Sequence, residues 1–378
     1  MKESFVYCRN KVMGGLYSGV LKPVFFRHDP EVVHDAMTQV GVKLGKVGVG
    51  RSLTSGFFQY QNPMLRQKIL GIEFKNPIGL SAGFDKNAEL TDILPSVGFG
   101  FAELGSITGE PCGGNEKPRL WRLPRSKSLV VNYGLKNDGC EAIAKRLKEK
   151  KFEIPFGMSV AMTNCEANLD TKNAVFDYAK AFKTLEPLAA YMTINISCPN
   201  TKGGQPFVAP HKLDYLLDIV DEIPTEKPIF IKFSPDLSHQ DIDELLAAAR
   251  SHRVHGIICT NLTKKRDAAV IREGTVPAVG GLSGKMVQEQ SEDMLAYIYR
   301  KECQRKDGKQ LVLIGSGGVF TAEDAYRKIR LGASLIQIIT GMIFEGPQVI
   351  SEINQGLVKL LKRDGFTTVS QAIGIDNK

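Results

Sequence analysis

Residues 194–201 read Ile-Asn-Ile-Ser-Cys-Pro-Asn-Thr. The stretch begins as an apolar, β-branched run, which predicts a buried strand. It ends in residues typical of a polar turn, so Asn195, Cys198 and Asn200 are expected at the carboxyl end of one strand. Two amides offer donors and acceptors to a flat polar heterocycle, and a cysteine with a lowered pKa can act as a nucleophile or a base. The simpler alternative is a core strand that ends in a turn with an inert buried cysteine.

Strand-like and helix-like segments alternate from about residue 66 to the end of the chain. Helical patterns at 177–185, 241–252, 283–300 and 322–331 separate many of the strands. The predicted strands are 78–81, 99–104, 155–160, 191–197, 228–233, 256–259, 311–314 and 335–339. This pattern predicts an α/β protein, a (β/α)8 TIM barrel, with an open doubly wound sheet as the alternative. In a barrel, functional groups lie at the carboxyl ends of the strands.

The first 65 residues differ from the rest, and we expect two parts, a small N-terminal helical extension at 1–65 and the barrel at 66–378. Asp29-Pro30-Glu31 predicts a helix start, with a capping aspartate and a proline in the first turn. Residues 12–26 are apolar and aromatic, with basic residues on both sides. Two interpretations remain open here: a helical hairpin that packs on the barrel, or an element that lies on a membrane surface.

Composition excludes several classes of protein. The chain has 378 residues, 43% of them hydrophobic and 24% charged, which is typical of a globular protein. Its seven cysteines include no CxxC pair and are odd in number, so neither a metal site nor a disulfide framework is expected. The net charge of +8 is spread along the chain, which favours a solvated basic surface over nucleic-acid binding. The sequence contains no run of 18 apolar residues, so no membrane-spanning helix is expected.

Several predicted strands end in turns that contain glycine, among them Ala-Gly at 82–83, Gly-Ser-Gly-Gly at 315–318 and Thr-Gly at 340–341. A further Gly-Gly at 280–281 comes later in the chain than the strand at 256–259 and opens a helix. Turns of this kind that lead into helices after the late strands of a barrel bind phosphate. Lys232 stands inside an apolar strand, where a cation is costly unless it meets an anion or a polar cofactor. Together these features predict a phosphate-bearing cofactor. The absence of GxxxxGK[ST] argues against an NTP-hydrolysing P-loop.

Six segments, taken together, resemble the dihydroorotate dehydrogenase family. They are 76–87 (NPIGLSAGFDKN), 98–106 (GFGFAELGS), 122–124 (RLP), 195–201 (NISCPNT), 280–285 (GGLSGK) and 329–334 (IRLGAS). The resemblance extends from about residue 15 to the C-terminus. Residues 23–26 and 29–34 resemble the quinone-dependent, membrane-associated class of the family, because the other classes lack this extension.

The resemblance implies an FMN-bearing barrel that oxidises dihydroorotate to orotate in pyrimidine synthesis, with a quinone as the electron acceptor. It implies Cys198 as the base, with Lys86 and Lys232 as further catalytic groups. The FMN residues would be Ala82, Gly83, Lys86, Ser106, Ser159, Asn195, Lys232, Thr260, Gly284, Gly317, Gly318 and Thr340. Substrate would meet Lys86, Asn132, Tyr133, Gly134, Leu135, Asn195, Asn200 and Asn261. His34 and Arg122 match quinone-tunnel positions, and the protein would be peripheral on the cytoplasmic side of a membrane.

The sequence departs from the family pattern in four ways. Cys198 stands where the quinone-dependent class usually has serine, whereas cysteine is typical of the soluble classes, which leaves fumarate or NAD as alternative acceptors. Val131 stands where an ungapped count places a substrate-binding asparagine, and a shift of one residue would bring in Asn132. Leu262 replaces a hydroxyl residue. Ser159 and Ile339 replace an asparagine and a tyrosine. These changes leave open an oxidoreductase for another dihydropyrimidine, or a catalytically silent flavin-binding protein at a membrane.

Overall fold

The structure is a computed structural model that describes residues 3–266, 269–305 and 307–377. Over these ranges the strands are β1 (Gln67–Ile69), β2 (Ile72–Phe74), β3 (Ile78–Leu80), β4 (Phe101–Ile107), β5 (Leu120–Leu123), β6 (Ser128–Val131), β7 (Phe156–Val160), β8 (Tyr191–Asn195), β9 (Ile229–Phe233), β10 (Gly256–Cys259), β11 (Gly281–Leu282), β12 (Val312–Ser316) and β13 (Leu335–Ile338).

The helices begin with α1 (Glu3–Leu16), which a π-helical segment at Tyr17–Leu21 joins to α2 (Lys22–Phe25). The remaining α-helices within the described ranges are α3 (Pro30–Lys46), α4 (Gly48–Phe58), α5 (Leu94–Val97), α6 (Cys140–Leu147), α7 (Thr171–Leu185), α8 (Pro210–Asp221), α9 (His239–Ser251), α10 (Gln288–Cys303), α11 (Ala322–Arg330), α12 (Thr340–Glu345) and α13 (Val349–Arg363).

Eight parallel strands close into a barrel in the order β3-β4-β7-β8-β9-β10-β12-β13. These are the eight strands that the sequence predicts, so the barrel is confirmed and the open sheet is excluded. The strands are apolar on both faces because helices cover the outside and side chains fill the inside. The register of β8 and β9 pairs Asn195 with Lys232. Two of the predicted site residues are thus neighbours at the carboxyl ends of adjacent strands.

The amino-terminal end of the barrel is closed by a separate apolar cluster. The β1–β2 hairpin lies there, and Phe74 packs edge to face on Phe101 with ring centroids 5.5 Å apart. Tyr191 and Phe230 form a second such pair at 5.3 Å in the same cluster. Because this end is filled with aromatic side chains, a ligand enters from the carboxyl-terminal end.

A small antiparallel sheet of β5, β6 and β11 forms one wall above that open end. β11 comes 150 residues after β6, and pairs Gly281 with Val131. The sequence does not predict this sheet, because β11 has only two residues and a strand of that length carries no hydrophobic period.

The N-terminal helices are fastened to the barrel by polar contacts. Asp29 caps α3, as the sequence predicts, and accepts hydrogen bonds from the backbone N–H groups of Glu31 and Val32. The buried Glu31 carboxylate pairs with the Arg119 guanidinium at 2.7 Å. Arg9 of α1 donates to Ser351 Oγ of α13 at 2.7 Å. In the described ranges we find no helix long and apolar enough to cross a bilayer.

Apart from the buried Val6, the buried positions of α1, α3 and α4 are polar or small, and many of the apolar residues of these helices face outward. An ordinary surface helix instead buries its apolar stripe. The inward residues include Arg9 and Asn10 of α1, Glu31 and Thr38 of α3, and Gly50 and Thr54 of α4. The outward residues include Phe5, Tyr7, Val12, Leu16, Val32, Met37, Val40, Leu44, Val49, Leu53 and Phe57. A contiguous apolar surface on a folded protein marks a site of contact with another apolar phase or partner.

Candidate active site

A cavity with about 1270 Å³ of space free of protein atoms opens at the carboxyl ends of the barrel strands. It brings together most of the residues that the sequence singles out. Those that line it are His34, Ala82, Gly83, Lys86, Ser106, Tyr133, Gly134, Leu135, Asn195, Cys198, Asn200, Lys232, Thr260, Asn261, Gly284, Gly317, Gly318 and Thr340. Ser159, Asn132 and Arg122 do not line it.

The floor of the cavity carries a buried cation. Lys232 is 3% exposed, and its Nζ donates to Ser81 Oγ at 3.0 Å. Glu103 Oε1 lies 4.0 Å from the same Nζ at the centre of the barrel. Burial lowers the pKa of Lys232, and the charge of Glu103 acts against that shift. An ammonium group held in this way can stabilise negative charge that develops on a bound ring.

A chain of hydrogen bonds connects the amides on this floor. Asn195 Nδ2 donates to Ser106 Oγ at 2.8 Å, and Asn261 Nδ2 donates to Asn195 Oδ1 at 3.1 Å. The Ser106 and Ser159 hydroxyls lie 2.8 Å apart, with Ser159 fully buried. Ser159 therefore acts on a ligand only through Ser106.

Glycines and hydroxyls form a cradle on the opposite side. Gly284, Gly317 and Gly318 have φ values of +77°, +110° and +75°, which favour glycine. A Cβ on Gly284 would lie 2.3 Å from the carbonyl oxygen of Lys127, so no larger residue fits there. The hydroxyls of Ser283 and Thr340 lie 2.8 Å apart beside these turns.

This donor set fits FMN. Glycine turns that expose backbone N–H groups, together with two hydroxyls, are suited to a phosphate. The buried Lys232 and the Asn195 amide are suited to the polar edge of an isoalloxazine ring.

Cys198 lines the cavity between the two amides of its segment. Burial raises the pKa of the Cys198 thiol to about 11, although the backbone N–H of Asn200 and the charge of Lys264 act in the opposite direction. The thiol is therefore protonated at neutral pH in this cavity. The sequence leaves open a reactive cysteine with a lowered pKa and an inert buried one, because it does not show how deeply the turn is buried.

Only one of the two polar atoms of the Asn200 amide has a hydrogen-bond partner among the described residues. Its Nδ2 donates to the carbonyl oxygen of Val131 at 2.8 Å, and its buried Oδ1 has no partner among the described residues. Val131 and Leu262 both line the cavity, so two positions where an amide and a hydroxyl were expected are apolar.

Asn132 does not take the place of the missing amide. Its Oδ1 accepts from Asn115 Nδ2 at 3.1 Å, outside the cavity. The reason is the alternation of side chains along an extended chain, which turns Asn132 to the opposite face from Val131. The shift of one residue that would bring the Asn132 amide to the substrate is not present.

Lys86 is the second cation of the cavity. Its Nζ lies 4.1 Å from the centroid of the Tyr133 ring. Burial lowers the pKa of Lys86 to about 8, and nearby Asp35 and Glu31 oppose the shift. An ammonium over an aromatic face keeps a favourable contact and leaves its N–H groups for an anionic ligand.

His34 and Arg122, the two predicted quinone residues, have different surroundings. His34 lines the cavity, with Nε2 2.9 Å from the carbonyl oxygen of Phe84. Burial lowers the pKa of His34 to about 4, so the ring is neutral at physiological pH. Arg122 donates to the carbonyl oxygen of His28 at 2.8 Å and lies over the Phe26 ring, which holds the turn before α3.

Three important residues were not among those predicted. Ser81 and Gln337 line the cavity floor, where Ser81 Oγ and Gln337 Oε1 are 3.1 Å apart. Asn115 donates to the carbonyl oxygen of Asn200 at 3.0 Å and accepts from Asn164 Nδ2 at 3.0 Å, so it ties three loops together. Ser81 ends the predicted strand at 78–81, so a signal for it is present in the sequence. Asn115 does not follow a predicted strand, so no signal for it is present in the sequence.

A closed parallel barrel with a polar, glycine-rich cavity at its carboxyl-terminal face defines the chain as a barrel enzyme. A model of the dihydroorotate dehydrogenase family matches residues 64–361. The chain belongs to the dihydroorotate dehydrogenase family.

Relatives support this assignment along nearly the whole chain. The dihydroorotate dehydrogenase (quinone) of Natronomonas pharaonis is 35% identical over 362 residues, which cover 96% of this chain and 99% of the relative. That of Trichodesmium erythraeum is 34% identical and covers 97% of this chain and 100% of the relative. The ligand-free DHODH structure from Eimeria tenella superposes with a TM-score of 0.82 at 29% identity, covering 93% of this chain and 100% of that one.

Proposed function

We propose that the protein oxidises dihydroorotate to orotate in de novo pyrimidine biosynthesis, with FMN as its cofactor and a quinone as the final electron acceptor. The observation that carries this proposal is the cavity in which Lys86, Asn195, Cys198, Asn200 and Lys232 converge. Membership of the family and the names of the quinone-type relatives support the same reaction.

When bound, FMN supplies the acceptor for the hydride that leaves C6 of dihydroorotate. Cys198 takes the proton from C5, which is acidic because a carbonyl group is adjacent to it. Because burial holds the thiol neutral, it must first release its own proton to solvent, and the resulting thiolate then accepts the C5 proton. Lys232 would hold the polar edge of the flavin ring and would place a positive charge there.

Substrate orientation falls to the amides and to Lys86. Asn195 and Asn261 are already hydrogen-bonded to each other, which fixes both side chains before a ligand arrives. The unpaired Oδ1 of Asn200 is available to a ring N–H of the substrate. Lys86 provides the cation for the substrate carboxylate. Groups held in place before binding lower the entropy cost of reaching the reactive geometry.

The quinone role is assigned to the apolar side of the cavity. Leu129, Ile339 and Ile343 line that side, and His34 of α3 stands at it with a neutral ring. Apolar side chains with a few polar groups are suited to a quinone ring and its isoprenoid tail. We therefore propose residues 1–65 as the segment that admits the quinone, and 66–378 as the FMN barrel.

The outward apolar face of α1, α3 and α4 supports contact with a membrane surface. Phe5, Val12 and Leu53 are between 57% and 69% exposed, and the exposed Lys11 and Lys43 flank the face. Apolar groups with basic neighbours favour an anionic lipid surface. We propose peripheral attachment on the cytoplasmic side.

Vesicle flotation tests the membrane role. The protein is expected to float with vesicles that contain anionic lipid, and the double variant Val12→Asp, Leu53→Asp is expected to stay at the bottom. Phe176→Asp is the matched control, because Phe176 is 49% exposed on α7 of the barrel. Equal flotation of all three proteins would contradict the assignment.

The acceptor is tested by oxidising the dihydroorotate-reduced protein with a short-chain quinone, fumarate or NAD. Rapid oxidation by the quinone alone is expected. Oxidation by fumarate or NAD at the same rate would overturn the quinone assignment, and Cys198 is the reason to include both acceptors.

The second candidate is oxidation of another dihydropyrimidine, and the apolar Val131 and Leu262 favour it. A panel of dihydropyrimidines tests it by the rate of flavin reduction, with the double variant Val131→Asn, Leu262→Thr alongside. If dihydroorotate is the best reductant of the natural protein, this candidate fails. If dihydroorotate reduces only the double variant, the second candidate replaces the first.

A further inference from the structure

Lys328 of α11 is buried and forms no ion pair in the part of the chain that the structure describes. Its side chain has no exposed surface, and its Nζ donates to Ser291 Oγ of α10 at 2.9 Å. Among the described residues no carboxylate oxygen lies within 4.0 Å of this Nζ. Burying an unpaired ammonium is costly, so a compensating negative charge is expected nearby when the protein is complete.

The hydroxyl that Lys328 contacts lies directly below the phosphate cradle. Ser291 Oγ is 2.7 Å from the carbonyl oxygen of Ser316 and 3.2 Å from that of Cys259. These are the last residues of β12 and β10, and Gly317 and Thr260 follow them in the cavity lining. A Cβ on Gly317 would be 3.6 Å from Ser291 Oγ, so only the backbone of the turn separates the serine from the cavity.

The other lysine at this turn is already neutralised. Lys285 Nζ is 3.0 Å from Asp324 Oδ2, and also donates to Gln288 Oε1 at 2.8 Å. The carboxylate of Asp324 therefore neutralises most of the charge of Lys285. Lys328 is therefore the buried positive charge beneath the Gly317–Gly318 turn that forms no ion pair with a carboxylate among the described residues.

We propose that Lys328 is a positioning and electrostatic residue for the phosphate of the cofactor, acting from beneath the turn through Ser291 and the ends of β10 and β12. The proposal rests on the FMN assignment of the proposed function. The ammonium orders the hydroxyl that fixes both strand ends, and its field adds to that of the backbone N–H groups above it. A charge in a protein interior is screened less than one at the surface, so it acts across the turn.

The test compares FMN with riboflavin, which has the same ring and no phosphate. The dissociation constants of both flavins are measured by fluorescence quenching on the full chain stripped of flavin. Lys328→Met is expected to weaken FMN binding by about tenfold or more and to change riboflavin binding by less than about twofold. Lys309→Met is the control for net charge, because Lys309 is exposed.

Three results overturn parts of the account in different ways. Equal weakening of FMN and riboflavin in Lys328→Met would make Lys328 a structural residue only. Unchanged FMN binding in Lys328→Met would show that Lys328 has no role in binding the cofactor. A natural protein that binds neither flavin would refute the proposed function itself, which separates that failure from failure of the Lys328 assignment.

If Lys328→Met does not fold, the pH dependence of flavin binding by the unmutated protein still tests the proposal. Burial lowers the pKa of Lys328 to about 8, while the charges of Glu292, Cys259 and Asp324 oppose the shift and Lys285 adds to it. A protonated Lys328 favours FMN, so the preference for FMN over riboflavin is expected to fall as the pH rises above about 8. Ring ionisation is common to both flavins and cancels in the ratio. An affinity ratio of FMN to riboflavin that stays constant between pH 7 and pH 9.5 would contradict the proposal.

Discussion

Asn200 donates its amide N–H to the carbonyl oxygen of Val131 at 2.8 Å, and its Oδ1 has no partner among the described residues. The backbone at Val131 thus orients the Asn200 amide, although Val131 itself brings no polar group to the cavity. A buried, unpaired acceptor costs free energy until a ligand donor meets it.

Removal of the Asn200 amide should weaken substrate binding. Asn200→Leu is expected to raise the dissociation constant of orotate by about 5- to 150-fold, since one hydrogen bond to a buried partner contributes about 1–3 kcal/mol. Spectral titration of the bound flavin measures it. Asn173→Leu is the control on the exposed surface of α7. Equal affinity in the Asn200 and Asn173 variants would mean that Asn200 does not contact the ligand.

Cys198 is expected to be the base. Cys198→Ala should retain FMN and lose flavin reduction by dihydroorotate by a factor of about 100 to 10,000, the usual contribution of general base catalysis. Anaerobic stopped-flow absorbance measures the rate. Cys198→Ser tests the residue found in the quinone-dependent class and should keep part of the rate. An unchanged rate in the alanine variant would remove Cys198 from the mechanism.

Flavin reduction should accelerate with pH. The pKa of Cys198 is raised to about 11, so the thiolate fraction increases about tenfold for each pH unit below that value. The rate constant measured from pH 6 to pH 9.5 should rise in the natural protein and be flat in Cys198→Ala. A flat profile in the natural protein, with saturating substrate, would show that the thiol is not the group that must deprotonate.

The Glu31–Arg119 ion pair should stabilise the fold at neutral pH. Burial alone would raise the pKa of Glu31, but Arg119, Lys117 and Lys136 outweigh it and lower the pKa to about 2. Because the folded pKa lies below the ordinary value of 4.5, the stabilisation is present above that value and is lost as the pH falls toward 2.

Glu31→Gln is therefore expected to reduce the free energy of unfolding by about 3–5 kcal/mol at pH 7, since Arg119 keeps a buried charge without its partner. Chemical denaturation measures the change. Glu289→Gln on α10 is a matched control, because Glu289 lies in no ion pair among the described residues. Equal stability of both variants would contradict the account. The result also bears on truncation, because deletion of residues 1–45 removes Glu31 as well as the α1 and α3 parts of the proposed membrane face.

The sequence predicts the barrel well because each of its strands is a short apolar run bounded by polar turns, as at 191–197. It predicts the cavity residues that follow strands, such as Lys86 and Thr340, because parallel strands end on one side of a barrel. It does not predict the β5–β6–β11 wall or the position of Asn115, because both depend on contacts between distant parts of the chain. The pKa of Cys198 is also hidden, because burial is a property of the folded turn.

The sequence predicts an apolar stripe in the N-terminal extension, but not the direction in which that stripe faces. The spacing of Val33, Met37, Val40 and Leu44 predicts one apolar stripe, but a period does not say whether that stripe faces the barrel or the outside. In the structure Met37, Val40 and Leu44 are more than 40% exposed, and Val33 is partly buried. The buried face of the same helix carries Glu31 and Thr38, whose polarity was the available signal.

The most direct test is to add dihydroorotate anaerobically to the purified protein with bound FMN and to follow the flavin absorbance. The account predicts rapid bleaching of the flavin band and its return when a quinone is added. Bound FMN that dihydroorotate fails to bleach would contradict the central claim, and would mean that Val131 and Leu262 belong to a pocket for a different substrate.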